Sequence, residues 1–343
     1  MKLFYKNKNV LVTGGTGLVG SHLLLKLTRE NIAVRALYRS ADKISQVKKI
    51  FSYYTDDSLS LFNQIEWIQG DILDIPSLEN AIVNITQVYH CAAFISFDPS
   101  DFKKLERVNR EGTANIVNIC IAAGINKLCY VSTIGTIGRT LNGETATEET
   151  DWTRQNANPY AITKYLAEME VWRGAQENLN VVIVNPGVIL GPGFWDSGSG
   201  SFFKTASKGY NYYPPGGSGF ISVTDVVTIM TTLMNSNIHS ERYILVAENL
   251  SYKDVLHKIA LTMGKRPPTK PLKFWQLNIG RILDKLKTIF TGSNRTITKN
   301  TIYGLKHPSI FNNSKIKQVI KTDFESLDEQ ITFSSKLFIA EHS

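Results

Sequence analysis

Only three cysteines occur in 343 residues, and Cys91, Cys120 and Cys129 all sit inside apolar stretches without metal-ligand spacing. An odd count so placed excludes a disulfide framework and points to reduced, buried thiols. The six histidines form no H-x-x-x-H or comparable cluster, so no metal site is expected. No apolar run reaches the roughly 18 residues of a membrane span. The opening "MKLFYKNKNVLVTGG" carries too short an apolar stretch for a secretory leader, and a cytoplasmic protein is expected. Acid is scarce in one region: residues 265–321 hold 13 Lys or Arg against Asp284 alone, which leaves the remainder of this +8 chain at about −4. Such a segment suits anionic substrate, lipid headgroups or nucleic acid, or is a solvated surface. The solvated reading is preferred, and no nucleic-acid partner is expected.

What is present is ordinary for a globular protein, with 43% hydrophobic and 20% charged residues and enough length for two domains. Short β-branched runs alternate with longer helical patterns through the first half, the mark of βαβ units. Strands are expected at 9–14, 33–38, 65–70, 87–92, 127–133 and 180–186, with helices near 18–29, 41–52, 76–83, 102–123 and 158–177. Near-continuous apolar strands fit a parallel sheet buried on both faces. Residues 54–64 read as a polar insertion. The fold class is therefore α/β, a doubly wound parallel sheet over 1–185. A smaller, mainly helical cap over 186–343 closes on it and returns one strand near 242–247.

"NVLVTGGTGLVGSHLLLKL" joins the first strand to the first helix through a turn spanning Gly14, Thr16, Gly17, Leu18, Val19 and Gly20. Glycines permit close approach of a pyrophosphate, and the helix N-terminus offers free N–H groups to it. The second strand ends "VRALYRSADK", with Tyr38 where an acid would hold a ribose 2′-hydroxyl. Arg39 and Lys43 follow and can pair with a 2′-phosphate, so NADP is expected over NAD.

"NPYAITKYLAEME" places Tyr160 and Lys164 four residues apart on one helical face, where the ammonium can reach the phenol and favour its ionised form. Alone, this spacing is weak. Together with "TGGTGLVG", "GDILD" (70–74), "HCAA" (90–93), "VSTIGTIG" (131–138) and "NPGVILGPG" (185–193), it resembles the extended short-chain dehydrogenase/reductase family. "VRALYR", "FISVTDVV" and the "NNSK" near residue 315 are most similar to its dihydroflavonol-reductase-like and 3β-hydroxysteroid-dehydrogenase-like branch. The resemblance implies a Rossmann-type sheet. It makes Tyr160 the acid/base and Lys164 the group that lowers its pKa and holds the nicotinamide ribose. It puts Thr133 in the place of the third, substrate-orienting hydroxyl, with Ser132 as the fallback. It also assigns Asp71 and Ile72 to adenine, Ala92 and Ala93 to the path under the cofactor, and Pro186, Gly187 and Val188 to the nicotinamide amide. His90, at a strand end, is expected to be structural or cofactor-side.

The function so implied is NADP-dependent reduction of a carbonyl, or the reverse, on a small apolar or ring-containing molecule. Nucleotide-sugar epimerase or dehydratase chemistry is the alternative. Dehydratases of the family carry an Asp-Glu pair after the catalytic hydroxyl, where this chain has Ile134 and Gly135; no arginine precedes "V-T-D" in "GGSGFISVTDVV". A non-catalytic NADP-binding regulator is a further alternative, against which stand the three catalytic residue types. Phe94, Phe97, Phe194, Trp195, Tyr210, Tyr212 and Tyr213 are expected to border the cleft or pack the cap. A homodimer pairing the helices near 102–123 and 158–177 is expected from the resemblance. In "FWQLNIGRILDKLKTIF" (274–290), Trp275, Ile279, Ile282, Leu283, Leu286, Ile289 and Phe290 recur at helical spacing. A cap over the pocket, which buries Ile279, Ile282 and Leu286, is preferred to peripheral membrane contact, which leaves them bare.

Overall fold

The computed structural model describes residues 9–140, 144–291, 295–320 and 323–342. Seven β-branched runs become the strands β1 (Asn9–Thr13), β2 (Ala33–Tyr38), β3 (Ile65–Gln69), β4 (Gln87–His90), β5 (Lys127–Val131), β7 (Val181–Pro186) and β11 (Glu241–Leu245). Short strands fill the intervals: β6 (Thr145–Ala146), β8 (Val188–Leu190), β9 (Tyr212–Tyr213) and β10 (Gly217–Ser222), then β12 (Glu248–Ser251), β13 (Lys270–Pro271) and β14 (Ile310–Phe311). The large sheet runs β11-β7-β5-β4-β1-β2-β3, every neighbouring pair parallel. The chain order reverses beside β1, the switch point where such sheets bind ligands.

Both faces are covered, as the apolar strands require. Val10, Val12, Val34 and Val184 pack on the first helix, Leu18–Arg29, and on Val223–Met234. Leu11, Val88, Leu128 and Ile183 pack on Gly112–Ala122 and Pro159–Gln176. The odd and even residues of one strand thus serve opposite layers.

The second half is mainly helical, as expected, and adds the sheet β12-β10-β8 and the short pairs β13-β9 and β14-β6. Two expectations need correction. Residues 54–64 are not a polar insertion: Ser58–Asn63 is a helix, because Leu61 and Phe62 have an apolar wall to lie against. Helix Phe274–Thr291 does not close its apolar stripe over the pocket. Only one side of it touches protein, through buried Leu277 and through Asp284, whose carboxylate accepts the Thr296 and Ile297 amides at 2.9 Å. Ile279, Ile282 and Leu286 are left 49%, 53% and 45% exposed; the Ile289 side chain lies outside the described residues.

Candidate active site

The glycine turn is shaped by contacts that leave no room for side chains. Gly14 sits at φ +69°, and a Cβ there would meet the Ala92 amide at 2.6 Å; at Gly20 it would meet the Gly14 carbonyl at 2.2 Å. Gly17 caps the first helix without a side-chain hydrogen bond, so the first-turn N–H groups of Leu18, Val19 and Gly20 have no side-chain acceptor at the cap and are available to an anion, although these three residues do not themselves line the cavity in front of the turn. A cavity of about 220 Å³ opens in front of this turn. Gly14, Thr16, Gly17, Arg39, Lys43, Asp71, Ile72, Ala92 and Ala93 line it, bringing together most of the cofactor residues expected from the sequence. The donor set fits a dinucleotide: helix amides for a pyrophosphate, the partly exposed Asp71 carboxylate, whose Oδ1 accepts the Leu73 amide at 3.0 Å, and cations at the far end. Arg39 lies 4.0 Å from Asp71, with Ser40 and Lys43 beside it on the wall. Pro186 is buried at the end of β7, while Gly187 and Val188 reach a second cavity, a cleft.

That cleft measures about 420 Å³. Asn158 caps helix Pro159–Gln176 by accepting from the Ala161 amide at 2.8 Å, and Pro159 occupies the first turn, where its missing N–H costs nothing. Tyr160 therefore stands at the cleft wall, edge-on to Phe97. One turn later Lys164 is fully buried near Cys91, which lines the cofactor cavity. The helix joins the two cavities.

The expected pairing of Lys164 with Tyr160 is not what the structure holds. Lys164 donates instead to the Tyr130 hydroxyl at 2.6 Å and the Val131 carbonyl at 2.8 Å. Burial pulls its pKa to about 7, against the opposing pull of Glu168. Burial also pushes the Tyr160 phenol above the ordinary tyrosine value, so this form of the site keeps it protonated. His90 belongs to the same layer, because the register sets Thr13, His90 and Tyr130 side by side on β1, β4 and β5. Its ring bridges Thr13 and Thr113 at 2.6 and 3.0 Å and stacks on Tyr130. Burial lowers it to about 3, so it is neutral and structural.

Thr133 and Ser132 are separated by the geometry. Thr133 follows β5 and lines the cleft, where its oxygen accepts from the Gly135 amide at 3.2 Å and its own O–H remains to donate. Ser132 is buried and turned away, donating to Glu168 at 2.6 Å. Glu168, fully buried, also accepts from Thr136 at 2.8 Å and Asn185 at 3.0 Å, and pairs with Arg242 at 3.1 Å. Arg242 in turn donates to the Glu148 carbonyl, whose side chain accepts the Ile244 amide. Sequence inspection missed this buried centre; the only local signal was a glutamate four residues beyond Lys164.

Of the seven aromatics expected near the cleft, Phe97 alone lines it. Trp195 and Tyr213 pack the core of the second half, and Tyr210 and Tyr212 are exposed, because residues 191–213 fold against that core. The cleft's aromatic walls are Phe97, Trp152, Tyr252 and Phe311. Trp152 is fixed by stacking on Tyr165 at 4.0 Å and by donating to the Gly135 carbonyl. No carboxylate lines the cleft among the described residues, and its basic groups there are Arg139 and His307. The Arg139 guanidinium lies 5.2 Å over the Tyr303 ring, which also packs on His307.

A model of the NAD dependent epimerase/dehydratase family matches residues 10–246. Sterol demethylase protein B of Methylococcus capsulatus is 29% identical over 265 residues, which cover 75% of each chain. A putative dihydroflavonol 4-reductase of Synechocystis is 29% identical over 273 residues, covering 77% of this chain and 75% of that one. Among solved structures, gox2253 superposes with a TM-score of 0.80 at 24% identity over 98% of this chain and 99% of its own.

Proposed function

Because the chain belongs to the NAD-dependent epimerase/dehydratase family of extended short-chain dehydrogenases/reductases, enzymes that bind a nicotinamide cofactor, we propose that it is an NADP-dependent oxidoreductase. In this reading it interconverts a carbonyl and an alcohol on a small, ring-containing, largely apolar molecule. The observation that carries this reading is the convergence of Thr133 and Tyr160 on one carboxylate-free cleft, with Lys164 one turn behind them.

A bound nicotinamide supplies or accepts the hydride. Thr133 donates to the substrate oxygen and orients it, a donor aimed where charge develops. Tyr160 moves a proton to or from that same oxygen, and its protonated resting form suits the reducing direction. Lys164, released from Tyr130, stabilises the phenolate left behind. Phe97, Trp152 and Tyr252 offer flat walls to a ring, and Arg139 faces a polar or anionic substituent at the cleft edge. Sterol and dihydroflavonol, the ring compounds in the names of the two relatives, agree with such walls. Arg39 and Lys43 support NADP over NAD. The absence of an acid beside Thr133 weighs against a dehydratase. A cytoplasmic location fits the free thiols of Cys91, Cys120 and Cys129.

We also infer a homodimer through the helices near 102–123 and 158–177, whose outer side carries the Arg110–Glu170 and Arg173–Glu177 pairs. A monomer mass by light scattering at micromolar concentration would refute it. The function is tested by following NADPH consumption across ring-bearing ketones, aldehydes and 4-keto-sugar nucleotides. Turnover of a cyclic ketone that disappears in Tyr160→Phe is the expected result; turnover of the sugar nucleotides alone would overturn it.

A further inference from the structure

Helix Phe274–Thr291 carries an apolar stripe that no part of the described chain covers. At about 100° per residue, Trp275, Ile279, Ile282, Leu283, Leu286 and Phe290 fall within a single arc of about 100°. Trp275 and Leu283 are 60% exposed and Phe290 83%. Lys285 borders the arc on one side and Lys287 on the other, both exposed. The opposite face is anchored by Leu277 and by Asp284, the one acid of residues 265–321, whose carboxylate is taken up by the Thr296 and Ile297 amides. The exposed side is therefore apolar, and the charges that flank it are cationic. No helix among the described residues is long and apolar enough to cross a membrane.

We propose that this helix lies in the plane of an anionic lipid surface, with the stripe among the acyl chains and Lys285 and Lys287 at the headgroups. Charge selects this occupant. Burial of the stripe against a second copy across a two-fold axis would gather the same lysines around one seam, whereas anionic headgroups neutralise them. The aromatic residues at the two ends of the stripe, Trp275 and Phe290, are of the kind that in-plane helices bury at the interface. The docked helix is also continuous with the substrate site. Arg295, just beyond it, donates its amide to Asp98 at 2.6 Å, and Thr296, Asn300 and Thr301 line the cleft.

The full chain is to be sedimented with vesicles of pure phosphatidylcholine and of phosphatidylcholine with a third phosphatidylglycerol, at low and physiological salt. Binding to the anionic vesicles that weakens with salt is expected, with little binding to the neutral ones. Ile282→Asp should abolish it, and the Lys285→Glu/Lys287→Glu pair should weaken it by about tenfold or more. Both variants should keep the wild-type thermal midpoint and NADPH affinity, since these side chains are solvent-facing. Equal binding by wild type and Ile282→Asp, no binding to either vesicle, or a lipid-free dimer that Ile282→Asp dissolves would each overturn the proposal.

Discussion

The Lys164 ammonium lies 2.6 Å from the Tyr130 hydroxyl and 4.1 Å from the centre of the same ring, so its partner in the folded chain is a strand residue and not Tyr160. Burial takes its pKa from the ordinary 10.5 to about 7. Below pH 7 the folded and unfolded chains both carry the charge, and the burial penalty stands in full. Between about 7 and 10.5 the unfolded chain holds the extra proton, so stability from this group rises with pH, by up to about 1.4 kcal/mol per unit. Lys164→Met removes that slope. Urea melts at pH 6, 8 and 9.5 should show the variant losing ground to wild type as pH rises; a constant difference would show that Lys164 does not titrate there.

Thr133 and Ser132 should respond oppositely to loss of the hydroxyl. Thr133→Val is expected to lower kcat by about 10²-fold or more with a nearly unchanged melting temperature, and Thr133→Ser to retain most activity. Ser132→Ala takes one of the buried donors from Glu168 and should cost about 1–3 kcal/mol of stability. Its kcat should fall much less than that of Thr133→Val. Paired turnover and melting measurements check this, and a greater kcat loss in Ser132→Ala than in Thr133→Val contradicts the assignment.

Arg39 and Lys43 share the wall of the cofactor cavity. Arg39→Ala should weaken NADPH by about 10–100-fold, the worth of one charge-assisted contact, and leave NADH almost unchanged. Fluorescence titration of both cofactors decides; a parallel loss for the two would mean that Arg39 supports the site only through Asp71.

Arg139, over Tyr303 at the cleft, predicts a preference among substrates. For ketones with a carboxylate or phosphate substituent, Arg139→Ala should raise KM by about tenfold or more and spare kcat. For neutral ketones of the same ring size it should change neither much. Equal effects on both series would reduce Arg139 to a packing residue.

The sheet was legible because β1, β4, β5 and β7 are buried on both faces and so read as continuous apolar runs. The glycine turn and the Tyr160–Lys164 spacing were legible because close backbone approach and helical periodicity each demand residues at fixed intervals. The Glu168 centre was not: Arg242 lies 74 residues away on β11, and nothing local marks Glu168 as buried or the two as partners. Aromatic side chains misled for a related reason. Trp195 and Trp152 look alike in a loop, and only tertiary packing decides that the first fills a core and the second walls a cleft. For helix Phe274–Thr291 the amphipathic pattern was plain, but a pattern records that a face is apolar and not what covers it.

The Glu168 centre has a consequence for recombination. Its carboxylate comes from the helix that carries Tyr160 and Lys164, its hydroxyl and amide donors from the segments after β5 and within β7, and its counter-charge from β11. β11 is also the outermost strand of the cofactor-binding sheet, although it is encoded after the substrate-cleft loops. A crossover near residue 185 would exchange the two ends of this ion pair between parents. Chimeras with a relative should therefore be viable only when Arg242 travels with, or is matched to, the first half, which already carries Glu168 and Glu148. The seam that the sequence suggests is not a seam along which the protein can be shuffled.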